Sequence, residues 1–140
     1  MKFNTVKCEI MDPYTVVQKV ADIINYDAEV NGRKYDMSIK KVSSERKSYQ
    51  IECISNYDDF DIGFEVIITQ VYSNGKSIVV ICTNCKNYNT YTDEQKSAVT
   101  LLIKTIIVPA INEYVYQYTK FLSAIGSSKY RIAKRKSSNA

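Results

Sequence analysis

Two hydrophobic periods alternate along this chain. Phe3, Val6, Cys8 and Ile10 alternate in part with polar neighbours and predict a first strand over Lys2–Ile10. The period then lengthens. Asp12 suits a helix N-cap, and Pro13 suits the first helical position, where its missing N–H is not needed. Val16, Val17, Val20, Ile23 and Ile24 follow on one helical stripe, which predicts a helix ending near Asn25–Asp27.

Period-2 patterning returns next. Tyr35, Met37 and Ile39 alternate with Asp36, Ser38 and Lys40. Tyr49, Ile51 and Cys53 alternate with Gln50 and Glu52. These predict two half-buried strands joined by the polar turn Ser43–Arg46. Asn56–Asp61 reads as an acidic connection. Phe64–Ser73 and Lys76–Cys85 are rich in β-branched residues and flank Asn74-Gly75. Asn31-Gly32 and Asn74-Gly75 both read as two-residue hairpin turns, because a type I′ turn needs φ > 0 at both central positions. The second turn predicts the pairs Val71 with Ile78, Thr69 with Val80 and Ile67 with Cys82 on one face. Gln70 with Val79, Ile68 with Ile81 and Phe64 with Cys85 then fall on the other. Both faces of this hairpin are largely apolar, so something is expected to cover each side.

Thr92-Asp93-Glu94-Gln95 is a capping box, with acids placed where the helix dipole favours them. From Val99 to Ile125 the apolar residues keep a helical period as far as Gly126, a natural stop. Pro109 interrupts that run, so a kink or two abutting helices are expected. The fold class is α+β: an antiparallel sheet of about four to five strands, with an N-terminal helix and a long C-terminal helix packed on it. The order strand, helix, strands, long helix resembles the helix-grip arrangement. Residues 1–126 form the single domain, and residues 127–140 form a flexible, disordered basic tail.

Charge changes the picture mainly at that end. The formal net charge is +4, yet Lys129, Arg131, Lys134, Arg135 and Lys136 supply five of the positive charges. Without them, 14 basic residues face 15 acidic ones. A domain that is basic throughout is therefore excluded. Lysines outnumber arginines 15 to 4, and Ile, Asn and Tyr are abundant. This usage fits AT-rich coding and points to a low-GC bacterium, its phage or another mobile element. No secretory leader is recognisable at the start, and the apolar run Ala98–Ile111 is shorter than a bilayer span. The expected location is the cytoplasm, with the four cysteines as reduced thiols.

The chain has no histidine, which removes the commonest general base and every histidine-containing nucleophile pair or metal site. Glu52 and Glu65 on candidate strands, and Asp58, Asp59 and Asp61 in a connection, read as solvated acids. Cys82-Thr83-Asn84-Cys85 lies well ahead of the Thr92 helix cap, so it lacks the setting of a redox pair. With Cys8 and Cys53 on separate strands, the thiols read as core residues, and no metal or cofactor is expected. Lys129, Tyr130, Arg131, Lys134, Arg135 and Lys136 are candidate nucleic-acid contacts. Tyr88, Tyr91 and Tyr116 are candidate interface residues. These features fit a small non-enzymatic binding or interaction protein, acting through a protein partner or self-association. A nucleic-acid-associated accessory protein using the tail is one alternative. A small-ligand binder with a pocket between sheet and long helix is the other.

Overall fold

The structure, a computed structural model, describes residues 1–9, 12–43, 47–57 and 60–138. Side chains are described throughout these except at Ser43, Tyr57, Ser73 and every position from Ile125 on. The element order is β1 (Lys2–Glu9), α1 (Pro13–Asn31), β2 (Lys34–Ser43), β3 (Ser48–Tyr57), β4 (Phe60–Ser73) and β5 (Lys76–Asn84). A short 3₁₀ turn (Tyr88–Thr90), α2 (Asp93–Leu102), a π-turn (Ile103–Ile107) and α3 (Val108–Ser138) complete it. The five strands form one antiparallel sheet in the order β1-β5-β4-β3-β2. The helix-grip-like α+β arrangement expected from the hydrophobic pattern is the one observed.

The hairpin register is the expected one. Val71 faces Ile78, Thr69 faces Val80 and Ile67 faces Cys82. Asn74 and Gly75 have φ of 53° and 74°, the two positive values that a type I′ turn requires. The other Asn-Gly pair behaves differently. α1 runs past Asp27 to Asn31, and Gly32, with φ 66°, is its left-handed C-cap rather than part of a hairpin. The same glycine freedom that closes a two-residue turn also ends a helix, and the helical stripe leading into Asn31 decides between them. The acidic connection is also shorter than expected. β3 reaches Tyr57, which pairs with Phe60, while Asp58 and Asp59 lie outside the described residues, as do Glu45 and Arg46 of the upstream turn.

Both helix starts follow their sequence signals. The Asp12 side chain accepts from the Thr15 N–H at 3.3 Å. Thr92 Oγ1 accepts from the Gln95 N–H at 3.2 Å, and Gln95 Oε1 returns the bond to the Thr92 N–H at 3.0 Å. Pro109 neither splits nor ends the long helix. The turn before it opens into a π-turn, with the Val108 N–H bonded to the Ile103 carbonyl five residues back. A proline ring in a regular helix clashes with the carbonyl four residues earlier, and one widened turn makes room for it. The helical backbone also continues through Gly126 to Ser138, where the sequence predicts a stop and a loose tail. Glycine ends a helix only when it takes the left-handed conformation; within a helix it costs about 1 kcal/mol relative to alanine.

In the described residues α1, α2 and α3 pack on one face of the sheet. α1 covers β2, β3 and β4, α2 packs on β4, and α3 packs on β1. Val16, Val17, Val20 and Ile24 of α1 meet Ile51, Cys53, Phe64, Val66 and Ile68 of the sheet. Leu102, Ile103, Ile107 and Ile111 extend that core along the long helix. The layer between sheet and helices is therefore filled by side chains, each fully buried branched residue contributing about 1.5–3 kcal/mol. By length and composition Asp93–Ala124 is apolar enough to cross a membrane, with mean hydropathy 1.5 in its most apolar window; 39% of that window is buried within the fold. Among the described residues no helix packs on the second face of the sheet. There Ile67, Val71, Ile78, Val80 and Cys82 stand half-buried on β4 and β5, so the expectation that both sides are covered fails for this one.

Candidate functional site

Two polar clusters and one groove organise the chemistry. The first cluster sits on the uncovered face, where β3, β4 and β5 run side by side. Glu52 and Glu65 are directly opposed across β3 and β4. Glu65, read from sequence as a solvated acid, is only 2% exposed. Burying a carboxylate is costly unless its oxygens are bonded, and here both are. Asn84 Nδ2 donates to Oε1 at 2.9 Å, Gln50 Nε2 donates to Oε2, and Lys86 Nζ lies 3.1 Å from Oε2. The same ammonium is 3.8 Å from Glu52, which also faces Lys40 at 3.7 Å. The hydrogen bond to Glu65 raises the Lys86 pKa, aided by the charges of Glu65 and Glu52 and opposed by desolvation. Lys86 thus bridges two carboxylates that would otherwise repel across the ladder. A cleft of about 230 Å³ adjoins this cluster. Both Glu65 oxygens are thus engaged as acceptors.

Tyr91 closes one side of that cleft. Its phenol accepts from the Gly63 N–H at 2.8 Å, and burial raises its pKa. A Cβ at Gly63 would stand 3.4 Å from this oxygen and 3.5 Å from the Cys53 carbonyl, so the glycine permits the approach. Of the other candidate interface tyrosines, Tyr88 is half-buried, edge-on to Phe3 with Lys96 over its ring. Tyr116 is 58% exposed on α3, beneath the Lys120 ammonium. Tyr88 and Tyr91 are thus tied into the fold, and Tyr116 is open to solvent. Lys129, Tyr130, Arg131, Lys134, Arg135 and Lys136 sit on helical backbone, with side chains outside the described residues.

The second cluster lies at the end of α1. Asp27, 3% exposed, accepts from Asn31 Nδ2 at 2.6 Å and from Arg33 NH1 at 2.9 and 3.2 Å. The Tyr35 hydroxyl also donates to it, and burial together with that bond raises the Tyr35 pKa. Beside Asp27 a groove of about 580 Å³ runs between α1 and the long helix. Ile23, Ile106, Ala110 and Tyr114 line it.

None of the four cysteines is in a disulfide, and they do not converge. Cys8 and Cys53 lie on the helix-covered face, whereas Cys82 lies on the open one, 3.8 Å from Thr5 Oγ1. Cys85 follows β5 and donates to the Gly63 carbonyl at 3.3 Å. Among the described residues no group of three or more Cys, Asp or Glu is placed to hold a metal ion.

No protein-family model matches the chain, and no curated protein matches it. Among solved structures, the crystal structure of Ara h 8.0201 is similar at 14% identity, covering 81% of this chain and 98% of that one, with a TM-score of 0.38. A likeness at that level carries no argument about the site.

Proposed function

We propose that the protein is a non-catalytic interaction protein whose working form is a pair of copies joined through the uncovered face of the sheet. The observation that carries this is the apolar strip Ile67, Val71, Ile78, Val80 and Cys82 on a face that no helix covers among the described residues. An antiparallel sheet facing water shows polar residues at these positions, and contiguous apolar patches on a protein surface mark association sites.

A second copy fits this face in size. With nine residues in β5 and five strands in the sheet, the face measures about 30 by 24 Å, roughly 700 Å². A stable interface buries about 800 Å² per partner. Lys76 and Glu9 stand at the end near the Asn74–Gly75 turn, and Lys7 is level with Val80 at the centre of the strip. Toward the far end Glu52 and Glu65 are paired with Lys40 and Lys86, and Asp36 and Asp61 stand with Lys34. A two-fold axis through the strip sets the apolar residues of each copy on those of the other. The missing histidine and the fully bonded Glu65 support a role without catalysis.

Sedimentation and light scattering across a concentration series test the pair. Val80→Lys, at the centre of the strip, is expected to yield a folded monomer, and iodoacetamide is expected to label Cys82 more slowly as protein concentration rises. A wild-type chain that stays monomeric into the millimolar range, with Cys82 labelling at a constant rate, overturns the reading.

A further inference from the structure

The groove between α1 and the long helix is separate from that face and has its own chemistry. Its volume of about 580 Å³ falls in the range of small-molecule sites. Ile23 and Ile106 line it from the two helices, and Ala110 leaves space where a larger residue would fill it. The π-turn carries Ile106 at this level of the helix, and π-turns recur beside binding sites. Tyr26, 68% exposed, and Tyr114 add two aromatic rings.

The charges around it are not balanced. Asp22 contributes an exposed carboxylate from α1 and Glu113 one from α3, against the single ammonium of Lys19. The third acid, Asp27, is already neutralised by Arg33 and bonded to Asn31 and Tyr35. An apolar trough with tyrosine rings and a net acidic rim is complementary to one kind of small molecule. The apolar walls take a hydrophobic body, while the rings and carboxylates take a positive charge.

We propose that this groove binds a small organic cation with an apolar body, an aryl- or alkyl-ammonium compound. Three probes sharing one skeleton separate the contributions: 4-phenylbutylammonium, 4-phenylbutanol and 4-phenylbutyrate, each titrated calorimetrically into the full chain. The ammonium is expected to bind saturably at one site. The alcohol should bind about threefold to tenfold more weakly, as loss of exposed ion pairs implies, and the carboxylate weaker still. Asp22→Asn with Glu113→Gln should bring the ammonium down to the level of the alcohol and leave the alcohol unchanged. Ala110→Trp should abolish binding of all three, with circular dichroism reporting an intact fold. Tyr26→Ala, at an exposed position remote from the core, should weaken all three and serves if the tryptophan disturbs the helix. Equal affinity for the three probes, no binding of the ammonium at millimolar concentration, or binding indifferent to both Ala110→Trp and Tyr26→Ala overturns the proposal.

Discussion

Replacing Asp27 by alanine tests whether the cluster at the end of α1 holds that helix to the sheet. The substitution removes the acceptor of four contacts: one from Asn31, two from Arg33 and one from Tyr35. Breaking a buried ion pair by deleting one partner costs about 3–5 kcal/mol, because the other charge is left uncompensated. The Arg33 side chain keeps 24% of its surface in water, which lets it rehydrate in part, so the lower end, about 3 kcal/mol, applies. Tyr35→Phe removes one of the bonds and keeps the ring against Phe64; about 1 kcal/mol is expected. For a chain of this size 1 kcal/mol moves the melting temperature by about 3–4 °C, so Asp27→Ala should melt about 10 °C early. Urea unfolding measures both variants, with an unchanged m-value showing that the native state keeps its compactness. The double variant completes a cycle in which Asp27 and Tyr35 should couple by 0.5 kcal/mol or more. An Asp27→Ala loss within about 0.5 kcal/mol, the size of an ordinary surface change, refutes the reasoning. So does strict additivity with Tyr35→Phe.

Two further outcomes follow from groups already placed. Burial pushes the Cys53 thiol from 9.0 up to about 12 and the Tyr114 phenol from 10.0 up to about 12. Their neutral forms are favoured in the folded state, so this stability is complete below pH 9 and is lost between pH 9 and 12. The unfolded chain releases these protons first; the loss approaches about 1.4 kcal/mol per pH unit for Cys53 and is smaller for Tyr114, which stands partly in water. Urea midpoints measured across that window should fall, and Cys53→Ala should flatten the first part of the decline; a flat profile from pH 9 to 11 contradicts the assignment. At the C-terminal end, neutralising Lys134, Arg135 and Lys136 together should lower any retention on DNA or RNA equally for all sequences. The log–log salt slope should fall by about 2 to 3 units, and full-length protein that is not retained at about 50 mM salt removes the nucleic-acid alternative.

The parts of the fold that were legible in the sequence are those whose cause is local. Asp12-Pro13, the Thr92–Gln95 box and the Asn74–Gly75 turn each carry their geometry within four residues, and each behaves as its residue types demand. The hairpin register follows from the turn alone. Other features depend on what a segment meets in space. Gly32 and Gly75 stand in the same dipeptide with nearly the same φ, yet one closes a helix and the other a hairpin. The discriminating signal is the period of the preceding residues, and it was present at Val16, Val20 and Ile24. Pro109 gave no local hint of a π-turn, because keeping the helix continuous matters only once Ile107 and Ile111 have a sheet to pack on.

The polar clusters were the least visible, for the same reason. Glu65 looks like any strand acid until Gln50 and Asn84 arrive from neighbouring strands and Lys86 from the segment after β5, at separations of 15, 19 and 21 residues. Asp27 was nearer to being readable, since Asn31 follows one helical turn later, but Arg33 and Tyr35 join it only after Gly32 reverses the chain. The apolar strip was half visible: alternation showed that both hairpin faces are hydrophobic, and only the placement of α1 and the long helix shows which one is left open. That asymmetry is the strongest argument for association. A chain that buries Ile51, Ile68 and Ile81 completely under its helices, yet keeps Ile67, Ile78 and Val80 only half-buried on the other face, has a second apolar layer that no helix covers among the described residues.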